Sequence, residues 1–446
     1  MRWTVSRSFF SRILADYGMV GVLLLVCLCC SLGTIQERKP KGRQAARIVA
    51  SKIARSVDRG ALIVILSEDV EYADALEGLL IEDGASVVEK IGGTTRQMRR
   101  ALDRLVAQKV QIDVIATTRI TRPIVEDVRN ESPALGETRI LFPENYWWPT
   151  FLTRSNLLNV AAKNVVIGVI AVGMTMVIIT AGIDLSVGSL VALSAVVAAS
   201  LIAGFGGREA TAPTMILASL AAVAVCAGVG AFSGLMVTAF KIPPFVVTLA
   251  MMWVASGMAF ILSGGKSIAD VPESFDWLGS DATLLGIPNT LVLMLVIYAI
   301  GHVVMSRTTL GRHVYAVGGN RLAARLSGIH VNRVLLVVYT ISGSMAGIGG
   351  LMLASQFQSG VATYGAMYEL YAIAAVVVGG TSLAGGEGKI LGTLIGVFII
   401  AVVQNAMNLL EIGSYAQNVV LGLIVLLVVL LDMIKRQGWR RLFTAE

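Results

Sequence analysis

NVVIGVIAVGMTMVIITAGIDLSVGSLVALSAVVAASLIAG, residues 164–204, carries one charged side chain, Asp184, and no other stands between Lys163 and Arg208. Two helices fit that length, at about 164–181 and 186–204, each long enough to cross roughly 30 Å of hydrocarbon. The same pattern recurs toward the C-terminus at about 213–239, 244–262, 288–305, 334–354, 369–383, 390–409 and 416–431, and between Arg333 and Glu369 there is no charge at all. A chain of 446 residues that is 55% hydrophobic and only 15% charged cannot hide its apolar side chains in one water-soluble core. It belongs in a bilayer, and abundant Gly with scarce Pro favours packed helices over a β-barrel of alternating polarity.

Working back to the N-terminus, Arg2, Arg7 and Arg12 precede the apolar run Tyr17 to Leu32. No small-x-small cleavage site closes that run, so it reads as a retained first helix with its N-terminus in the cytoplasm. Ten spans then return the C-terminus, with Lys435, Arg436, Arg440 and Arg441, to the cytoplasm. The same parity puts the acid-free loop carrying Arg307, Arg312, Arg321, Arg325 and Arg333 there too, and the acidic loop 263–287 outside. The net charge of +7 is thus a topology signal and no pointer to nucleic acid. Cys27, Cys29, Cys30 and Cys226 lie in apolar runs, which argues against a disulfide framework, and Leu24-Leu25-Val26 lacks the small residue of a lipoprotein cleavage site.

Residues 33–150 break the pattern. Ala61 to Leu66 reads as a strand, Val70 to Ile81 as an amphipathic helix and Asp83-Gly84 as a turn. Ser86-Val87-Val88, Thr95 to Gln108 and Ile112 to Ala116 then repeat strand, helix, strand. Such alternation implies a small parallel sheet. Phe142-Pro143 through Trp147-Trp148-Pro149 closes the segment, with paired Trp suited to a membrane interface. The expected fold is an α-helical polytopic membrane protein of about ten transmembrane helices with an inserted soluble α/β domain. Its parts are the cytoplasmic N-terminus and first helix (1–32), an extracytoplasmic insert (33–150), a helical domain (151–435) with a cytoplasmic loop at 306–333, and a cytoplasmic tail (436–446).

Gly182-Ile183-Asp184-Leu185-Ser186-Val187-Gly188-Ser189 places a carboxylate, two hydroxyls and two glycines at membrane depth. An isolated acid there costs at least about 2.5 kcal/mol, so it has a task. Asp184 or Ser186 can cap the following helix, or the segment can line a solute path. Polar Gln404, Asn405 and Asn408 in one span can face the same path or bond helix to helix. Small residues four apart at Gly230/Gly234, Gly343/Gly347 and Gly392/Gly396 let backbones approach, within one subunit or at a dimer seam. Gly265-Lys266-Ser267 and Gly388-Lys389 fail as phosphate-binding loops, because Phe260 stands at the first Gly position of one and Ile390 follows the other. His302, His313 and His330 show no metal-ligand spacing.

Ala171-Val172-Gly173-Met174-Thr175 and Gly182 to Ser189 resemble the signature of ribose/xylose/galactoside-type permeases of ABC importers. The resemblance continues through Tyr315-Ala316-Val317-Gly318-Gly319-Asn320, Leu326-Ser327-Gly328-Ile329 with Val331, and Ala374 to Gly386, covering about 1–32 and 145–435. It implies a transport subunit that is not an enzyme and binds no cofactor, with ATP and Mg held by a separate ABC ATPase subunit. It also implies a periplasmic sugar-binding protein as donor, a second permease copy or sibling, and membrane lipid around a multi-pass inner-membrane protein; nucleic acid is not expected as a partner. By the same resemblance a short coupling helix within Gly319 to Val331 docks on the ATPase, through Gly319, Asn320, Arg321, Ala323, Ala324, Arg325, Ser327, Gly328 and Ile329. Small Ala323, Ala324 and Gly328 allow close approach, and Arg321, Arg325 and Arg333 can reach carboxylates of the partner. Arg321-Leu322 stand where the family often reads Glu-Ala. The translocation path or helix break is expected at Gly182, Asp184, Ser186, Gly188, Gln404 and Asn405.

The insert resembles one lobe of a periplasmic sugar-binding protein, in order of elements and not in any motif. One lobe offers no enclosing cleft, and Tyr72 is the only aromatic near its first turn. Two other functions compete: a secondary transporter or channel that uses Asp184 for ion coupling, and a receptor sensing through the insert.

Overall fold

The computed structural model describes residues 3–57, 60–278, 283–284 and 286–437, and the side chains of these apart from 3–17, 431–432 and 435–437. Arg2, Arg440 and Arg441 therefore lie outside the described residues, as do the side chains of Arg7, Arg12, Lys435 and Arg436 and most of the tail. The chain divides into two compact units, Met1–Thr34 with Thr150–Glu446, and Ile35–Pro149.

After helix α1 (Trp3–Gly33) the smaller unit runs β1 (Ile35–Arg38), α2 (Gly42–Ser56), β2 (Leu62–Leu66), α3 (Val70–Glu82), β3 (Ser86–Ile91), α4 (Thr95–Ala107), β4 (Val114–Thr117), α5 (Arg122–Glu131), β5 (Arg139–Leu141) and β6 (Tyr146–Pro149). Strands β3-β2-β4-β5 form a parallel sheet in that order. The apolar run of β2 has no polar alternation because both its faces are covered. Ile63 and Ile65 pack with Val49, Ile53 and Leu76 of α2 and α3, while Val64 and Leu66 pack with Leu102 and Val125 of α4 and α5.

Five elements of this unit escape the sequence pattern: β1, α2, α5, β5 and β6. The basic stretch from Arg38 contains α2, whose Ala45, Ala46, Val49, Ala50 and Ile53 are buried. Helix α5 buries only Ile124, Val125 and Val128. The Trp pair belongs to β6, which pairs antiparallel with β1, Ile35 opposite Pro149 and Arg38 opposite Tyr146. Tyr72 is fully buried and donates its hydroxyl to the Thr117 carbonyl at 3.2 Å. Burial, with Glu68 and Asp69 nearby, pushes that hydroxyl's pKa up, and the ring is closed to any ligand.

The larger unit continues with α6 (Arg154–Lys163), α7 (Val165–Ile179), α8 (Val187–Gly204), α9 (Ala212–Ala239), α10 (Pro244–Ser263), α11 (Asn289–Arg307), α12 (Thr309–Gly319), α13 (Arg321–Leu326), α14 (Val331–Gln356), α15 (Tyr368–Val378), α16 (Ile390–Leu409) and α17 (Ser414–Gln437). Among the described residues six helices are long and apolar enough to span a membrane, and α6 with α7, bent by 45°, makes a seventh if the pair is one span. The run expected at 369–383 is helical only to Val378, because Gly379 and Gly380 (φ +88°) turn the chain there.

Helix α14 packs on α7, α8 and α9, and its backbone comes close to theirs where Cβ atoms are missing. A Cβ built on Gly230 or on Gly343 would lie 3.2 Å from the other glycine's Cα, and one on Gly347 would lie 3.0 Å from Val223 Cα. A Cβ on Gly396 would lie 2.7 Å from Gly379 N. All three glycine pairs thus serve packing within this chain. Gly343→Val should lower the thermal midpoint of the detergent-solubilised protein by several degrees, since overpacking at a backbone contact costs about 1–3 kcal/mol. Gly257, with nothing within 4 Å of its Cβ position, is the control. Equal midpoints for Gly343→Val and Gly257→Val would refute the packing role.

Candidate functional site: a broken helix and the segment that holds it

Between α7 and α8 the chain leaves the helix. Ala181 takes a left-handed backbone (φ +57°), Gly182 N–H returns to the Val177 carbonyl at 3.1 Å, and the next residues have no regular structure until Val187. A helix end leaves its last carbonyls unpaired; those of Val177 and Ile178 accept from the turn itself, and the next two find donors from distant segments. The Ile179 carbonyl accepts from Gly386 N–H at 2.8 Å, and the Thr180 carbonyl accepts from Arg321 Nη2 at 3.0 Å. The Ile183 carbonyl accepts from Thr248 Oγ1 at 3.2 Å. A guanidinium at a helix C-terminus also complements the negative end of its dipole.

Asp184 is 1% exposed. Its Oδ1 accepts from Ser186 N–H at 3.0 Å and Ser186 Oγ at 2.6 Å, and its Oδ2 accepts from Ser342 Oγ at 2.7 Å. Ser342 stands about 16 Å along α14 from its start at 1.5 Å per residue, near half the thickness of a bilayer core. The carboxylate therefore ties the broken segment to α14 at membrane depth. This corrects the capping expectation: Ser186 occupies the N-cap of α8 without a side-chain cap bond, and Asp184 closes a turn before the helix. Gly182 leaves room for the Tyr339 hydroxyl, which would lie 2.5 Å from a Cβ there. Among the described residues that buried hydroxyl has no hydrogen-bond partner. Gly188 leaves room for the Glu369 carboxylate and for the Gly365 carbonyl, 2.6 Å from its Cβ position.

Asn405 does not join this cluster. It exchanges two amide hydrogen bonds of 2.9 Å with Asn156, tying α16 to α6, and Asn408 accepts from Gln417 at 2.8 Å. Gln404 is half-buried on the same helix. Of the residues expected on a path, Gly182, Asp184, Ser186 and Gly188 lie in one turn, and Asn405 bonds α16 to α6.

The segment expected to couple to an ATPase is the end of α12, the six-residue α13 and a turn. Gly319 ends α12; Asn320 caps α13 by accepting from Ala323 N–H at 3.0 Å. Gly328 (φ +82°) closes α13, and Ile329 N–H returns to the Ala324 carbonyl at 3.0 Å. Open space surrounds the Gly328 Cβ position, so a side chain there acts through backbone strain and not through bulk. Ala324 is buried, while Ala323, Arg325 and Ser327 are exposed. Arg321 is exposed and also donates from Nη2 to the Thr180 carbonyl, a partner within this chain that the sequence did not reveal. Sequence reasoning missed Leu322 and Leu326, which are 67% and 81% exposed and lie one helical turn apart. An i, i+4 leucine pair inside an arginine-rich loop was the available signal.

A family model described as branched-chain amino acid transport system / permease component matches residues 156–429, more than half of the chain. The ribose import permease RbsC of Escherichia coli (strain K12) is 41% identical over 288 residues, 64% of this chain and 87% of the relative. RbsC of Bacillus subtilis (strain 168) is 41% identical over 286 residues, covering 64% and 86%. The probable ABC transporter permease YphD of Escherichia coli (strain K12) is 37% identical over 290 residues, covering 65% and 85%. No solved structure matches the chain. The family match takes in the broken helix, Arg321 and α13 and leaves out residues 35–149. The chain belongs to this family of transport-system permease components and is a multi-pass membrane permease subunit of the ABC-importer type.

Proposed function

We propose that the chain forms the translocation path for a sugar or sugar-like solute, driven by a separate ATPase subunit that holds ATP and Mg, and fed by an extracytoplasmic sugar-binding protein. The 41% identity to ribose import permeases over 87% of their length carries this reading, and it favours a sugar over the amino acids in the family's description. The turn at Gly182, Asp184, Ser186 and Gly188 borders the path, and α13 with its flanking residues receives the ATPase. The permease works as a pair, with itself or a sibling. Co-expression with its ATPase and binding protein tests the reading through uptake of labelled D-ribose, D-xylose and D-galactose against L-leucine; leucine uptake alone would refute it.

The seven long spans, with the shorter apolar helices Gly18–Gly33, Tyr368–Val378 and Ser414–Leu430, make ten, which supports cytoplasmic termini and an insert outside the cytoplasm. The insert's four-stranded parallel sheet supports the likeness to one lobe of a periplasmic binding protein, acting as a tethered docking or regulatory lobe. Because Arg38 pairs with Tyr146, residues 39–145 can be replaced by an Asn-Gly turn that closes a hairpin. Uptake by this deletion should match the full chain at saturating binding protein and fall several-fold when binding protein is scarce. Equal uptake at every concentration would remove the docking role. A cysteine at exposed Arg96 labelled only from the cytoplasm would overturn the topology.

A further inference from the structure

Three acids interrupt the long apolar stretches of this chain: Asp184 between Lys163 and Arg208, Glu369 between Arg333 and Glu387, and Glu411 between Lys389 and Asp432, the last exposed in the turn between α16 and α17. Asp184 is saturated by three donors. Glu369 is not: its carboxylate meets its own backbone N–H and forms no ion pair among the described residues. A half-buried carboxylate in such an apolar stretch is costly unless donors reach it.

Its surroundings are those of a small polar site. Glu369 opens on a cavity of about 200 Å³ that Ser189, Ser256, Thr363 and Tyr364 supply with hydroxyls, and Phe260 and Met367 with apolar surface. The cavity exists because position 188 has no Cβ, and because Gly365 (φ +70°) and Met367 (φ +69°) turn the chain sharply before α15. Helices α8 and α15 both begin beside it, with Gly188 and Glu369 in their first turns. A lone carboxylate beside two positive helix ends is largely balanced in charge. What remains on offer is hydrogen-bond capacity, with apolar surface to cover C–H faces.

We propose that this cavity is a solute-binding subsite of the path, taking a neutral polyhydroxylated solute whose hydroxyls donate to Glu369. The proposal rests on the sugar-import reading and deepens it. A purely structural Glu369, present only to balance the helix ends, would have no need of the hydroxyl-lined space.

The test uses the complete importer, with its ATPase and binding protein, in cells that lack their own uptake of the labelled sugars. Glu369→Gln keeps an acceptor oxygen and should retain at least a third of sugar uptake, whereas Glu369→Ala should lose at least tenfold while remaining in the membrane. Thr363→Cys, at an exposed position of the cavity wall, should react with a small methanethiosulfonate reagent. The transported sugar should slow that reaction at least threefold, and a sugar that is not transported should leave it unchanged. Normal uptake by Glu369→Ala, or labelling of Thr363→Cys that the transported sugar does not slow, would overturn the subsite while leaving sugar import intact. Glu369→Gln as inactive as Glu369→Ala would overturn the neutral class of solute in favour of a cation. Wild-type uptake of leucine and of no sugar would instead overturn the reading on which the subsite rests.

Discussion

Asp184→Leu should abolish uptake and sharply reduce the amount of folded permease, whereas Asp184→Asn should keep both within about threefold of the unsubstituted protein. The carboxylate accepts three hydrogen bonds in a site closed to water. Leucine leaves those donors without an acceptor. The two serine hydroxyls can rotate toward backbone carbonyls, but the Ser186 N–H cannot, and an orphaned buried donor costs about 1–3 kcal/mol. The link to α14 at Ser342 is lost as well, so the break between α7 and α8 is no longer pinned at membrane depth. Asparagine keeps one oxygen for Ser186, and its amide can donate to Ser342 Oγ, whose hydroxyl turns to suit. Membrane abundance and uptake, measured together, separate folding from transport. Equal activity of the Asn and Leu variants would eliminate the tether, and loss of uptake in Asp184→Asn at normal abundance would show that the charge itself is used.

What was legible in the sequence followed from one-dimensional pattern. Long uncharged runs mark spans whether or not their partners are known, and α8, α9, α10, α11, α14 and α16 fall within a few residues of their expected limits. Asp184 announced itself by being the only charge in its stretch. Its partner did not, because Ser342 lies 158 residues away and serines are frequent in such helices. The link of Arg321 to Thr180 was hidden for a related reason: nothing local to an exposed, acid-free loop shows that a helix end 141 residues away takes one of the guanidinium's donors. In the smaller unit β2, β3 and β4 were visible as branched apolar runs. Helix α2 was masked by its arginines and lysines, and β1 and β6, of four residues each, are too short for periodicity to register. Glu369 was seen only as the end of an uncharged stretch, since a cavity is a property of three elements meeting.

The second large effect is expected at α13. Leu326→Asp should cut co-purification of the ATPase subunit more than tenfold and remove uptake, without lowering the stability of the permease itself. Leu322 and Leu326 project from a six-residue helix between arginines and pack on little of their own chain. A soluble surface rarely keeps two large apolar side chains a turn apart without a partner. Covering them gains about 1.5–3 kcal/mol each, and a buried unpaired carboxylate in place of Leu326 reverses the sign of that contribution. Arg321→Ala should behave differently. It leaves the leucine face intact, so the ATPase still binds, but it frees the Thr180 carbonyl from α13. The contact between α13 and the broken span would then be weakened at a charged link, and ATP hydrolysis should continue while uptake falls at least fivefold. If Leu326→Asp still co-purifies the ATPase in full, α13 is not the docking element. If Arg321→Ala transports normally, coupling between α13 and the break at Asp184 takes another route, through Gly386 and the Ile179 carbonyl of the same helix end.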